Sequence, residues 1–177
     1  MNNTANLFRL AVIFVAVMTL QVVVFDNMDF LGLCNPFIYI VFIMRVPLGC
    51  PNILLMLMAA VTGLVVDLAS NTPGMHMMAC VLIARLRPFL LRLISFRNAA
   101  YKEGEMPDAR TYGTLWFLRY TLLMVSVHHV TLFLVEQFDS FYLWPTLVRV
   151  ALSIVASTAI IMLLETFAPR FSSAAED

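Results

Sequence analysis

Five apolar stretches approach or exceed the roughly 20 residues that a helix needs to cross a bilayer's hydrocarbon core. They are Leu7–Phe25, Asn52–Ala69, Met75–Ile94, Leu115–Leu134 and Phe141–Phe167. A sixth, Leu31–Val46, is shorter. Its Pro36 is expected in a first helical turn, where a missing N–H costs little. Arg45 at its far end is expected to snorkel to the interface. A soluble fold would have to hide all of these stretches. Hydrophobic residues are 62% of the chain and charged residues 12%, against about 45–50% and about 25% in soluble domains. A chain of 177 residues cannot bury that much apolar surface in a core of its own. The reading is an all-α integral membrane protein with six transmembrane helices in one domain, 1–170, and a short cytoplasmic tail, 171–177. The first apolar run, Leu10–Phe25, ends in bulky residues with no small-x-small site after it. It is expected to stay as the first span and not to be cleaved as a signal.

Charge sets the orientation. With six crossings, Arg9, Arg45, the Arg85–Arg110 cluster, Arg119 and Arg170 fall on one side. Asp26, Asp29, Glu136 and Asp139 fall on the other, with no Lys or Arg in its loops. The positive-inside rule then places both termini in the cytoplasm. If Leu31–Val46 did not cross, the basic loop would face outward. Tyr112, Trp116 and Tyr120 are expected at the inner interface, and Phe141, Tyr142 and Trp144 at the outer one. Arg85, Arg87, Arg92 and Arg97 form a basic segment with Phe89, Leu90 and Leu93 among them. That segment is expected either along the inner surface, on anionic lipid, or as an ordinary positive-inside flank, with Pro88 kinking the helix.

Polar residues inside the spans point to function. Asp67 costs up to about 2.5–3.5 kcal/mol at a helix centre, while each of the Leu, Ile and Val residues around it returns about 0.5. Insertion therefore tolerates Asp67 without explaining it. Ala60, Gly63, Asp67, Ser70 and Gly74 recur at helical spacing, a small polar face suited to close packing in a bundle. Arg149, two turns into the last span above Ser153 and Ala156, is expected to pair with Asp67 or to share with it a water-filled recess open to the outside, with Arg85 the second candidate partner. His128 and His129 are adjacent and cannot chelate as an i, i+4 pair, so they read as hydrogen-bonded bundle residues. His76 reads as a loop or helix-start residue, and Glu165 and Arg170 as interfacial.

Cys34, Cys50 and Cys80 have neither disulfide nor metal spacing and read as small core residues. There is no GxSxG, HExxH or phosphate-binding glycine loop. Ser126 near His128 lies within one apolar helix. No catalytic residue, cofactor or metal is expected. Zero net charge and the lack of a basic strip argue against nucleic acid.

The run GLVVDLASNTPGMH, Gly63–His76, lies between two apolar spans. With NPFIYIVFIMRVP at Asn35–Pro47 and LRPFLLRL at Leu86–Leu93, it resembles the central signature of the bacterial rod shape-determining MreD family, in its Bacteroidetes-like form. The resemblance covers nearly the whole chain. It implies a non-catalytic inner-membrane component of the elongation (rod) complex, with MreC as partner and the cell-wall synthases engaged indirectly. It also implies a fold similar to the six-helix substrate-binding components of energy-coupling-factor vitamin transporters, the alternative function. By position in the motif, Gly63, Asp67, Ser70, Pro73 and Gly74 carry the site. Arg149 joins them by depth and charge.

Overall fold

The computed structural model describes residues 3–27, 34–94, 101–136 and 143–167. These form α1 (Asn3–Val23), a 3-10 turn (Phe25–Asn27), α2 (Ile40–Arg45), α3 (Asn52–Ser70), α4 (Met75–Ile94), α5 (Ala109–Tyr112), α6 (Thr114–Glu136) and α7 (Leu143–Phe167). Among the described residues there is no strand. Among the described residues, four helical stretches are long and apolar enough to cross a membrane: Asn6–Asn27, Asn52–Ser70, Thr114–Glu136 and Trp144–Phe167. Helix α4 matches them in length, but Arg85, Arg87 and Arg92 lower its apolarity.

The helices are inside-out relative to a soluble bundle. Helix α3 turns Ile53, Leu57, Val61 and Leu68 outward, while it buries Thr62 and Asp67. Gln21, Thr121, His128, His129, Ser153 and Ser157 are also fully buried. Apolar residues outside and polar residues inside are what a lipid solvent favours, and of those six side chains only Thr121 has its hydroxyl buried without a hydrogen-bond partner, while His128 leaves one ring nitrogen so.

The expected short span Leu31–Val46 is corrected by the structure. Residues 28–33 lie outside the described part. Residues 34–38 are extended, and the helix is confined to Ile40–Arg45. Pro36 has no N–H and disfavours helix at Asn35. The extended backbone finds its partners on side chains. Asn35 N–H donates to Ser153 Oγ and Phe37 N–H to Ser157 Oγ, both at 2.9 Å. Ile38 N–H donates to Gln21 Oε1 at 2.8 Å. Two residues of extended chain advance about 6.7 Å and one helical turn of four residues about 6 Å. Alternate N–H groups therefore meet serines one turn apart on α7.

The contacts sort the ends of the bundle. At one end α1, α3 and α6 finish and α4 and α7 start. There Ser70 Oγ donates to Asp26 at 3.1 Å, and Arg149 lies 3.7 Å from Glu136. At the other end Arg45 pairs with Glu165 and lies 3.7 Å from Asp108. Leu48 there exchanges backbone hydrogen bonds with Gly104 and Glu105. Residues 35–45 run from Ser153 to Glu165 alongside α7, so this segment connects the two ends.

Candidate functional site

Asp67 is 3% exposed and fully engaged, but not by arginine. Its Oδ1 accepts from the backbone N–H of His76 at 3.0 Å and from Thr72 Oγ1 at 2.6 Å, and its Oδ2 accepts from Met77 N–H at 2.9 Å. These N–H groups belong to the first turn of α4, which has no intrahelical acceptor for them. A carboxylate there also meets the positive end of the helix dipole. The reach between the helices depends on Gly63, one turn earlier. A Cβ on Gly63 would stand 2.4 Å from Met77 Cα and 2.6 Å from the His76 carbonyl oxygen. Between the helices, Asn71 closes α3 in the left-handed region at φ 56°, and Gly74 turns the chain at φ 82°. The signature Gly63–His76 is thus a lock between α3 and α4.

The expected pairing of Asp67 with Arg149 or Arg85 is corrected by these contacts. Arg149 lies against Glu136 and over the Phe133 ring, 5.4 Å from its centroid. Arg85 is exposed. Ser70 is exposed and serves Asp26, and Pro73 lies in the turn. The basic segment also divides. Arg92 is exposed with Phe89 and Leu93, and Arg97 lies outside the described residues. Arg87 is 3% exposed. It donates to Tyr120 Oη at 2.7 Å and to the carbonyls of Met44 and Val46, so it closes the C-terminus of α2, whose last carbonyls have no helical donor. Tyr120 is therefore buried in the bundle, and so is Glu165, which accepts from Arg45 and from Ala109 N–H. Trp144 is 75% exposed; Phe141, Tyr142 and Arg170 lie outside the described residues. Of the three free thiols only Cys80 is buried, Cys34 and Cys50 being half-exposed.

The centre of the bundle is a polar cluster around Tyr39. Its hydroxyl lies 2.7 Å from His76 Nδ1 and 2.7 Å from His128 Nε2. His76 is thus the second residue of α4 and has a partner. The Phe37 ring packs against all three histidines, with centroids 5.1 Å from His76, 5.8 Å from His128 and 5.2 Å from His129. His129 Nδ1–H donates to the Val125 carbonyl at 2.9 Å. Its Nε2 is then an acceptor, facing Ser157 Oγ at 3.1 Å. The Ser157 oxygen also accepts from Phe37 N–H, and both side chains are fully buried. This serine–histidine contact therefore holds the extended segment in place and exposes no nucleophile. Sequence reasoning missed Tyr39, Gln21 and Ser157. The spacing of Ser153 and Ser157 on one face, opposite an Asn-Pro pair, was the available signal.

Above the cluster, at the end where α3 finishes, lies a recess of about 430 Å³. Phe37 and His76 line it, with Asp26, Asn35, Ser70 and Glu136 among the other lining residues. Its volume is within the range of about 300–1,000 Å³ found for small-molecule pockets. Compared with family models, curated proteins and solved structures, the chain gives no match.

Proposed function

We propose that this chain is a membrane-embedded, non-catalytic assembly protein of the MreD type, which binds the transmembrane helix of MreC within a bacterial rod complex. In this role it supports peptidoglycan synthesis and cell shape from the inner membrane. One observation carries the reading. The α3–α4 lock uses Gly63 and Asp67 internally, and the opposite face of α3 stays apolar and exposed at Ile53, Leu57, Val61, Leu64 and Leu68. Spacings of four and three place these residues on one stripe, the pattern of a helix–helix seam. The lock keeps that stripe rigid. Apolar burial contributes little between helices that share a bilayer, so a preformed, well-packed face is what a partner helix needs.

The reading includes six crossings with both termini in the cytoplasm. The four long apolar helices are joined by α4 and by the broken segment 35–45. The end rich in Arg45, Arg87 and Arg92 faces the cytoplasm, and the end with Asp26 and Glu136 faces outward. Cysteine crosslinking tests the partner site. Leu57→Cys and Leu64→Cys should crosslink to cysteines in the MreC transmembrane helix, and Leu118→Cys, exposed on α6, should not. Equal crosslinking from α6, or none from α3, would refute the assignment.

The recess supports a second reading, a substrate-binding component of an energy-coupling-factor vitamin transporter. Native mass spectrometry after gentle extraction separates the two. A stoichiometric small molecule favours the transporter reading, and retained MreC the first.

A further inference from the structure

Tyr39 has one proton to donate, and two imidazole nitrogens stand 2.7 Å from its oxygen. One of the two bonds must therefore be donated by Tyr39 and the other by an imidazole N–H, or both by imidazoles. The three groups come from three elements: the extended segment, α4 and α6. Tyr39 and His128 are fully buried, and His76 is 5% exposed and lines the recess. Tyr39 occupies His76 Nδ1, which leaves Nε2 as the nitrogen that can take a proton. At the far end of the chain, His128 Nδ1 is buried with no hydrogen-bond partner. The backbone of His76 is itself fixed, because its N–H donates to Asp67.

We propose that His76, Tyr39 and His128 form a single proton-binding unit, loaded from the recess, in which one proton is shared along the hydrogen-bonded chain. A proton binds His76 Nε2, the Nδ1 proton passes to Tyr39 Oη, and the phenolic proton passes to His128 Nε2. One proton enters, both imidazoles remain intact, and the charge moves inward by one hydrogen-bonded hub. The groups around the unit are Asp26 at the end of α1, which accepts from Gln21, Asp67 on α3, Cys80 on α4, which faces Tyr39, and His129 on α6. Helix α7 contributes the neutral Ser157. The acids that line the recess are Asp26 and Glu136, and the cation Arg149 of α7 lies 3.7 Å from Glu136.

The test is ¹⁵N-histidine NMR of the full chain in lipid nanodiscs across a pH titration. In the wild type, His76 and His128 should shift together in one pH window, because a single shared proton is sensed at both rings. Tyr39→Phe keeps the ring and removes the hub, so the His128 response should be lost while His76 still titrates. Thr166→Ala, exposed at the other end of α7 and bonded only to the Leu163 carbonyl, should leave the paired response unchanged. If Tyr39→Phe fails to fold, the wild-type spectra decide alone. Titration of His76 with His128 unmoved, or of neither, overturns the proposal.

Discussion

Gly63 and Asp67 act at the scale of a single atom. The approach at Gly63 leaves no room for a methyl group, and the atoms it would meet are backbone. They cannot rotate away. Gly63→Ala should lower stability by about 1–3 kcal/mol, the range for overpacking, read as a fall in thermal midpoint in mild detergent. Asp67→Leu leaves the N–H groups of His76 and Met77 buried without acceptors, at about 1–3 kcal/mol for an unsatisfied group. Asp67→Asn keeps one acceptor oxygen and should lose less. Equal losses for the two variants would mean that Asp67 acts through its charge alone. Cys50 illustrates the same scale outside the spans. Burial raises its thiol pKa, with Arg87 pulling the other way, so alkylation there should be slow at neutral pH and quicken as pH rises.

At the scale of an element, the extended segment is the part most dependent on its neighbours. It has no ladder of its own, and side chains of α1 and α7 supply its acceptors. Ser157→Ala removes the acceptor for Phe37 N–H and the partner of His129 together. Hydrogen exchange at residues 35–38 should then accelerate while the amides of α3 keep their protection. Unchanged exchange at Phe37 would show that the segment is held by packing. At the other end of the segment, Arg87 joins α4 to α2 and α6 through three bonds in a planar fork. Lysine, a point charge on a flexible stem, does not reproduce that geometry. Arg87→Lys should therefore destabilise nearly as much as Arg87→Met, checked by thermal unfolding of both variants.

For the whole molecule, the disposition of charge makes a topological prediction. In intact cells with the native cysteines replaced, a membrane-impermeant thiol reagent should label Thr72→Cys and leave Lys102→Cys unlabelled until the membrane is opened. Labelling of Lys102→Cys from outside would reverse the orientation and with it the assignment of the recess to the outer face. The membrane character and most helix positions were legible because they rest on runs of consecutive apolar residues. The importance of Asp67 was legible too, since a carboxylate at the end of an apolar run stands out. Its partner was not. Depth and charge pointed to Arg149, whereas two of the three donors are backbone N–H groups nine and ten residues along the chain, which carry no side-chain signal, and the third is the Thr72 hydroxyl in the turn between. Arg87 was misplaced for a related reason: on sequence it looks like its neighbours Arg85 and Arg92, and only the C-terminus of α2 distinguishes it. From the sequence alone came the solvent, through apolar length and scarcity of charge, because transfer into lipid depends on each segment's own composition. The tertiary structure alone decided which buried polar groups meet, with Tyr39 between His76 and His128 and the serines of α7 on the Asn-Pro segment. Those bonds join residues distant in the chain, and hydrogen bonding is selected by direction and distance once the helices have packed.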